Sequence, residues 1–195
     1  MNKVTRNIIL LIMVLVAVFS MTACGTTSAS DAVRNNLKQL KTADVSKMDI
    51  TPFGDAELEN NKDVSGKYDD FMKKVQDFSF KVTGEKVNKD GNEARVTVKI
   101  RTYEFGKAYT KTYEQVKQDG RNGTIGSKDN AKSYVAAAFL DQANALDKKT
   151  YSETVTISCY KNKKGQWKTD LVTNGDFQKA ILGGLREAIS DSSMQ

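Results

Sequence analysis

The spacing of apolar residues changes along the chain, and each spacing predicts a different kind of element. An unbroken apolar run extends from Ile8 to Phe19. Helical spacing first appears after Ser30, a residue type that caps helix N-termini, and it predicts a helix from Asp31 to Thr42. The segment from Ala43 to Gly66 is polar and irregular, and we expect at most a short helix there, around Ala56 to Asn60.

A second helix and a β-hairpin are predicted next. The helix extends from Tyr68 to Phe78, where the apolar residues fall on one stripe. The spacing then changes to strict alternation over Phe78 to Thr83 and, after a turn at Asn88 to Gly91, over Ala94 to Arg101. Alternation predicts a hairpin with one buried face and one face in solvent. The solvent face carries Lys81, Arg95, Lys99 and Arg101.

The C-terminal half is predicted to contain three further helices and two strands. Helical spacing over Gly106 to Lys117 indicates a helix, with an extended strand as the open alternative. The later elements are separated by turns rich in glycine, asparagine and lysine. They are a loop over Asp119 to Asn130, a helix over Tyr134 to Leu146, strands over Thr154 to Tyr160 and Trp167 to Leu171, one helix from Asn174 to Ala188, and a polar tail from Asp191 to Gln195.

This order of elements predicts a single α+β domain over residues 31–190, with helices packed on a bent antiparallel sheet. The strand Gly165 to Asp170, the helix Asp176 to Leu185 and the stretch from Arg101 to Ala108 resemble bacterial surface lipoproteins with a nuclear transport factor 2-like, cystatin-like domain. The resemblance implies a cone-shaped fold and a surface lipoprotein of unknown function from a Gram-positive bacterium. It supplies no catalytic residues.

The N-terminal residues resemble a bacterial lipoprotein signal. Two basic residues precede the apolar run, which at roughly 1.5 Å per residue is too short to span a bilayer. The run leads into Ser20-Met21-Thr22-Ala23-Cys24-Gly25, in which Met21 stands where leucine is usual. We therefore expect residues 1–23 to be removed as a signal peptide. An ordinary secretory signal and an uncleaved anchor are the alternatives.

The lipoprotein interpretation places the chain at a membrane surface. Cys24 would carry a diacylglycerol and an acyl chain such as palmitate, and residues 24–30 would form a tether. Two or more acyl chains hold a protein stably on a bilayer. We expect the domain to be lipid-anchored on the extracytoplasmic face of the cell membrane.

Composition narrows the chemistry available to this domain. The chain has no histidine, which excludes Ser-His and Cys-His nucleophile pairs and most zinc sites. Its net charge of +6 at pH 7 is too small to indicate nucleic acid binding. With Cys24 acylated, Cys159 is a lone thiol, and its place in an alternating strand predicts a buried side chain. We expect no cofactor, no metal ion and no catalytic residue.

Four aromatic side chains are the candidate ligand-binding residues. A cone can enclose a pocket between sheet and helices, and aromatic residues line such pockets. Packing in the hydrophobic core is the alternative for each of them. The candidates are Tyr103, Tyr109, Tyr113 and Trp167.

These features support three hypotheses of function. The leading one is a non-enzymatic, membrane-anchored binding or interaction domain for a small molecule, a protein or an anionic wall polymer. The alternative is a small enzyme that uses an internal Asp, Glu or Tyr in the cone pocket, where burial raises the pKa of a carboxyl group. In the third, the basic sheet face binds anionic wall polymer or lipid headgroups, unless it is only a solvated surface.

Overall fold

The computed structural model describes residues 28–43, 62–123 and 128–192. These residues form six helices and a four-stranded antiparallel sheet, which confirms the predicted α+β class. The predicted signal peptide, Cys24 and the short helix around Ala56 to Asn60 lie outside the described residues, as do the first part of the tether and the end of the tail.

Helices and strands follow one another in the order α-α-β-β-α-α-β-β-α-α. The sheet has the strand order β1-β2-β3-β4, so each strand pairs with its neighbour in sequence. The strands are β1 (Ser79–Val87), β2 (Glu93–Thr102), β3 (Tyr151–Lys161) and β4 (Trp167–Thr169). The helices are α1 (Ala29–Thr42), α2 (Lys62–Gln76), α3 (Phe105–Arg121), α4 (Lys128–Asn144), α5 (Gly175–Ile181) and α6 (Leu185–Ser192).

The core lies between the sheet and the helices. Helix α1 contacts all four strands, and α5 contacts β2 and β3, so both helices cover the same inner face. Fully burying one large aliphatic side chain contributes about 1.5–3 kcal/mol. The alternation of β2 and β3 supplies five such side chains to the inner face, namely Val96, Val98, Ile100, Val155 and Ile157.

Helices α2, α3 and α4 extend this core away from the sheet. Phe71 of α2 packs edge-on against Phe105 of α3 at a ring-centroid distance of 5.1 Å and against Phe139 of α4 at 5.5 Å. Edge-to-face packing is favourable because the positive ring edge meets the negative ring face. The predicted apolar stripes of these helices therefore meet in one aromatic cluster.

A β-bulge in β1 reverses which side chains face the helices. The pairing with β2 shifts between Val82 and Gly84, so an extra residue enters the strand. Glu85 then lies on the inner side, where its Oε2 accepts a hydrogen bond from the Ser30 backbone N at 3.1 Å. A carboxylate at a helix N-terminus is stabilising because it satisfies an unpaired N–H and complements the helix dipole.

Helix α1 begins earlier than its sequence predicts. Ser28, rather than Ser30, is the cap, since its Oγ accepts a hydrogen bond from the backbone N of Asp31 at 3.1 Å. Ala29 and Ser30 are buried inside the first turn. The predicted tether and the predicted domain start at residue 31 therefore both need correction, because the folded part already includes Ala29.

The predicted single helix from Asn174 to Ala188 is wrong, since α5 and α6 are separated by a glycine pair. Gly183 and Gly184 have φ values of +52° and +77°. The Gly106 backbone N donates a hydrogen bond to the Gly183 carbonyl at 3.0 Å, which locks this break against the start of α3. Helix α6 then continues to Ser192, so the polar tail begins later than predicted.

Other boundaries shift by a few residues. The helical prediction for Gly106 to Lys117 is confirmed, and the helix extends to Arg121. The predicted loop over Asp119 to Asn130 is correspondingly shorter, because α4 begins at Lys128. Strand β3 begins at Tyr151, earlier than predicted. Helix α2 ends at Gln76, α4 ends before Leu146, and β4 ends at Thr169.

Candidate functional site

The outer face of the sheet, opposite α1 and α5, gathers basic side chains from two neighbouring strands. Lys81 of β1 lies directly opposite Lys99 of β2, and Lys86 lies directly opposite Arg95. Arg101 lies beyond Lys99 on the same face of β2. It is about 20 Å from Arg95 along the strand. All five side chains are exposed. The four residues predicted for the solvent face are therefore brought together, and Lys86 joins them.

Hydroxyl groups continue the outer face on β3. Arg101, Lys99 and Arg95 pair with Ser152, Thr154 and Ser158. Thr97 pairs with Thr156 in the row between them. Hydroxyls can donate hydrogen bonds to anionic oxygens, as the cations can. We call this surface of basic and hydroxyl side chains the basic-hydroxyl face. Its members are Lys81, Lys86, Arg95, Thr97, Lys99, Arg101, Ser152, Thr154, Thr156 and Ser158.

The charges of the basic-hydroxyl face are not neutralised locally. Within residues 28–43, 62–123 and 128–192, no acidic side chain lies within 4.0 Å of the charged groups of Lys81, Lys86, Arg95 or Lys99. Arg101 donates a hydrogen bond to the carbonyl of Lys149 at 3.3 Å. Like charges directly opposite each other destabilise a strand pair. The face therefore presents a positive surface, and a bound anion would reduce the repulsion between its cations.

Two of the four predicted aromatic residues lie at opposite ends of the fold. Tyr103 follows β2 and is buried, with its ring centroid 5.8 Å from that of Phe105. Trp167 of β4 is buried too, and the Nζ of Lys161 lies 5.0 Å from its ring centroid. These two side chains therefore do not face a common cavity.

The other two predicted aromatic residues hold the end of α6. Tyr113 donates a hydrogen bond from its hydroxyl to the carbonyl of Ser192 at 3.2 Å. The hydroxyl of Tyr109 accepts one from the Oγ of Ser192 at 3.4 Å. The Tyr109 ring packs edge-on against Phe139 at 5.9 Å. The structure thus brings Tyr109 and Tyr113 together around the C-terminal helix.

Tyr103 belongs to a hydrogen-bonded cluster with Asp77 and Lys149. Its hydroxyl donates to Asp77 Oδ2 at 2.8 Å, and Lys149 Nζ donates to Asp77 Oδ1 at 2.7 Å. Burial and the hydrogen bond to Asp77 raise the pKa of Tyr103 to about 12. Burial acts to raise the pKa of Asp77, but the hydrogen bonds from Lys149 and Tyr103 outweigh it, and the net pKa lies below 3.8.

The charged Asp77 carboxylate in this cluster should stabilise the fold near neutral pH. We expect this contribution to the free energy of unfolding to disappear in acid. A depressed pKa in the folded state stabilises the fold above about pH 4 and loses that effect as pH falls through the folded value. Asp77→Asn should therefore cost under about 1 kcal/mol at pH 7, because the carboxylate is half-exposed, and less at pH 2.5. Urea unfolding at both pH values measures this difference. A cost that is equal at pH 7 and pH 2.5 would contradict the assignment.

Among the hollows on the surface of the described residues, two are large enough to hold a small ligand. One, of about 490 Å³, lies at the end of the basic-hydroxyl face nearest the β1–β2 turn. The other, of about 1030 Å³, lies between α3 and α4 and is lined by polar side chains such as Lys111, Gln118 and Gln142. None of the four predicted aromatic residues lines either hollow.

Two side chains of the outer face were not among the predicted site residues. Lys86 joins the basic-hydroxyl face through the bulge, and the bulge has no clear signal in the sequence beyond the glycine at position 84. Tyr160 is 54% exposed and lines the smaller hollow, on the outer face that alternation along β3 predicts for it. Cys159 is buried as predicted, and burial raises the pKa of its thiol to about 12. Its thiol is therefore protonated near neutral pH.

Comparison with known proteins assigns no family. No protein-family model matches the chain, and no curated protein matches it. A similar solved structure is a "putative lipoprotein (ycdA)" from Bacillus subtilis, with 16% sequence identity and a TM-score of 0.45. The match covers 94% of this chain and 56% of that one, so the chain spans little more than half of that structure. In the described part of the chain, no helix combines the length and apolarity needed to cross a membrane.

Proposed function

We propose that this chain is a membrane-anchored extracytoplasmic lipoprotein, that it acts as a non-enzymatic binding domain, and that its basic-hydroxyl face binds an anionic polymer of the cell wall. The opposed pairs Lys81–Lys99 and Lys86–Arg95 carry this proposal. Both pairs are exposed and lack an acidic partner among the described residues. A polyanion would bring negative charge to several of these cations at once.

The anchor is proposed from the N-terminal sequence. A short apolar run after two basic residues leads to Cys24, which follows Thr22 and Ala23. Acyl chains on Cys24 would hold the domain at the membrane surface, within reach of wall polymers outside a Gram-positive cell. The cone geometry of nuclear transport factor 2-like domains stays a prediction.

A binding role is favoured over the enzyme alternative by how two acidic residues, Asp77 and Glu153, are held by tyrosine and lysine partners. That alternative needs a carboxyl group with a raised pKa facing a pocket. Asp77 instead has a lowered pKa and is paired with Lys149. Glu153 accepts a hydrogen bond from the Tyr151 hydroxyl at 2.5 Å and lies 3.6 Å from Lys179. Neither carboxylate lines a hollow described above.

Two measurements in the same cells test the two halves of the proposal. Membranes from Gram-positive cells that express the full chain should capture fluorescent polyphosphate but not neutral dextran, and high salt should release the polymer. Equal capture of dextran and polyphosphate would contradict binding through charge. Radiolabelled palmitate should be incorporated into the full chain but not into the Cys24→Ser chain. Equal labelling of the two chains, or no labelling of either, would contradict the lipid anchor.

A further inference from the structure

The smaller hollow, at the β1–β2 turn end of the sheet, places acidic and aromatic side chains next to basic ones. The rest of the basic-hydroxyl face carries basic and hydroxyl side chains. Lys86, Arg95 and Ser158 form one row across β1, β2 and β3. Glu93 and Tyr160 form the adjacent row, which Lys168 continues on β4. The hollow has a volume of about 490 Å³, within the usual range of small-ligand sites. Its outer-facing side chains are Lys86, Glu93, Arg95, Ser158, Tyr160 and Asp170.

The first row suits a phosphate group. Directly opposed side chains have Cβ atoms about 4.5–5.5 Å apart, so the Lys86 ammonium and the Arg95 guanidinium can reach one anion together. A guanidinium offers paired N–H donors that match phosphate oxygens, and Ser158 adds a hydroxyl donor. The side chains of Lys86 and Arg95 make no ion pair within the described chain, so both are available.

The second row suits a neutral polyhydroxyl group. Tyr160 is 54% exposed and offers an aromatic face to C–H groups of a ligand. Exposed Glu93 can accept hydrogen bonds from ligand hydroxyls. Asp170 lies at the end of the first row, beside Ser158, and it has a structural role already, because its Oδ1 accepts a hydrogen bond from the Ser158 backbone N at 2.9 Å.

We infer that this hollow is a subsite for one phosphorylated sugar unit, with the phosphate on Lys86 and Arg95 and the sugar ring on Tyr160. This inference rests on the proposed function, since the sugar phosphate would be a repeating unit of the anionic polymer on the basic-hydroxyl face. The polymer would then be one in which sugar units alternate with phosphate groups, and not one in which phosphates follow one another directly.

Titration of the full chain in detergent with glucose 1-phosphate, inorganic phosphate, glucose and phosphocholine tests this subsite. Glucose 1-phosphate should bind about fivefold more tightly than inorganic phosphate, the added affinity coming from the Tyr160 ring. Glucose alone should not bind measurably. Equal affinities for glucose 1-phosphate and inorganic phosphate would overturn the inference. So would tighter binding of phosphocholine, which would assign Tyr160 to a cation instead of a sugar.

Variants separate the sugar contact from the phosphate contact. Tyr160→Ala should bring glucose 1-phosphate down to the affinity of inorganic phosphate, and Tyr160→Phe should keep the difference because the ring remains. Tyr134→Ala, at another exposed tyrosine, should change neither affinity. Lys86→Gln should weaken both ligands. If polyphosphate capture persists in the wild-type chain while the sugar preference is missing, the subsite fails and the proposed function stands.

Discussion

Replacing Lys81, Arg95, Lys99 and Arg101 together by glutamine should lower the affinity for polyphosphate by about 100- to 1000-fold at low salt. Each basic side chain near an anionic surface contributes about 1 kcal/mol, and 1.4 kcal/mol corresponds to a tenfold change in affinity. The variant should fold normally, because all four side chains are exposed. Removing the opposed Lys81–Lys99 charges should even stabilise the sheet slightly. Fluorescence anisotropy of labelled polyphosphate with the full chain in detergent measures the loss.

A matched variant distinguishes binding by the basic-hydroxyl face from attraction by the net charge of the chain. Lys38, Lys73, Lys107 and Lys148 are exposed and lie outside the sheet. Changing these four to glutamine removes the same total charge and should weaken binding by less than about fivefold, because long-range electrostatics are screened by salt. If both variants lose affinity equally, the chain attracts polyanions through its overall charge, and the basic-hydroxyl face has no special role.

Gly183→Ala should destabilise the fold by about 3 kcal/mol or more. A Cβ at this position would lie 1.9 Å from the Tyr103 carbonyl oxygen, and the backbone φ of +52° already disfavours a side chain. Relief would require the α5–α6 break to move away from the start of α3. The melting temperature should fall by roughly 6–12 °C, as expected for a chain of this size. Thermal unfolding followed by circular dichroism measures the shift.

Gly175→Ala is the matched control for that substitution. Gly175 begins α5, and a Cβ there would meet nothing within 4 Å. Alanine should therefore be tolerated to within about 1 kcal/mol, since it has a higher helix propensity than glycine. Equal stability of the Gly183→Ala chain and the wild-type chain would show that the close approach between Gly183 and Tyr103 does not exist in solution.

The sheet was predictable where its residues alternate strictly. In β2, the apolar side chains Ala94, Val96, Val98 and Ile100 all face the core. Successive side chains of a strand point to opposite faces, so the apolar set can only lie together on the buried one. The same reasoning placed Arg95, Lys99 and Arg101 together on the opposite side. The bulge in β1 lay beyond prediction, since one extra residue changes the parity without changing the composition. Lys86 was missed for that reason.

The break between α5 and α6 and the roles of the aromatic residues could not be predicted for a different reason. An apolar stripe continues across Gly183 and Gly184, so periodicity alone predicts one helix. The break depends on the backbone of Tyr103 and Gly106, which are distant in sequence. Likewise, Tyr109 and Tyr113 have the same helical spacing whether they face a pocket or hold α6 in place. Tertiary contacts decide between these outcomes, and local sequence contains no record of them.

The salt dependence of polyphosphate binding tests the central claim most directly. For the wild-type chain and the variant with glutamine at positions 81, 95, 99 and 101, the logarithm of the affinity is plotted against the logarithm of the salt concentration. Each cation that contacts the polyanion adds roughly 0.7 to 0.9 to the slope. The wild-type slope should exceed that of the variant by about 3. Equal slopes would show that these four residues do not contact the polymer, and the basic-hydroxyl face would not be the binding site.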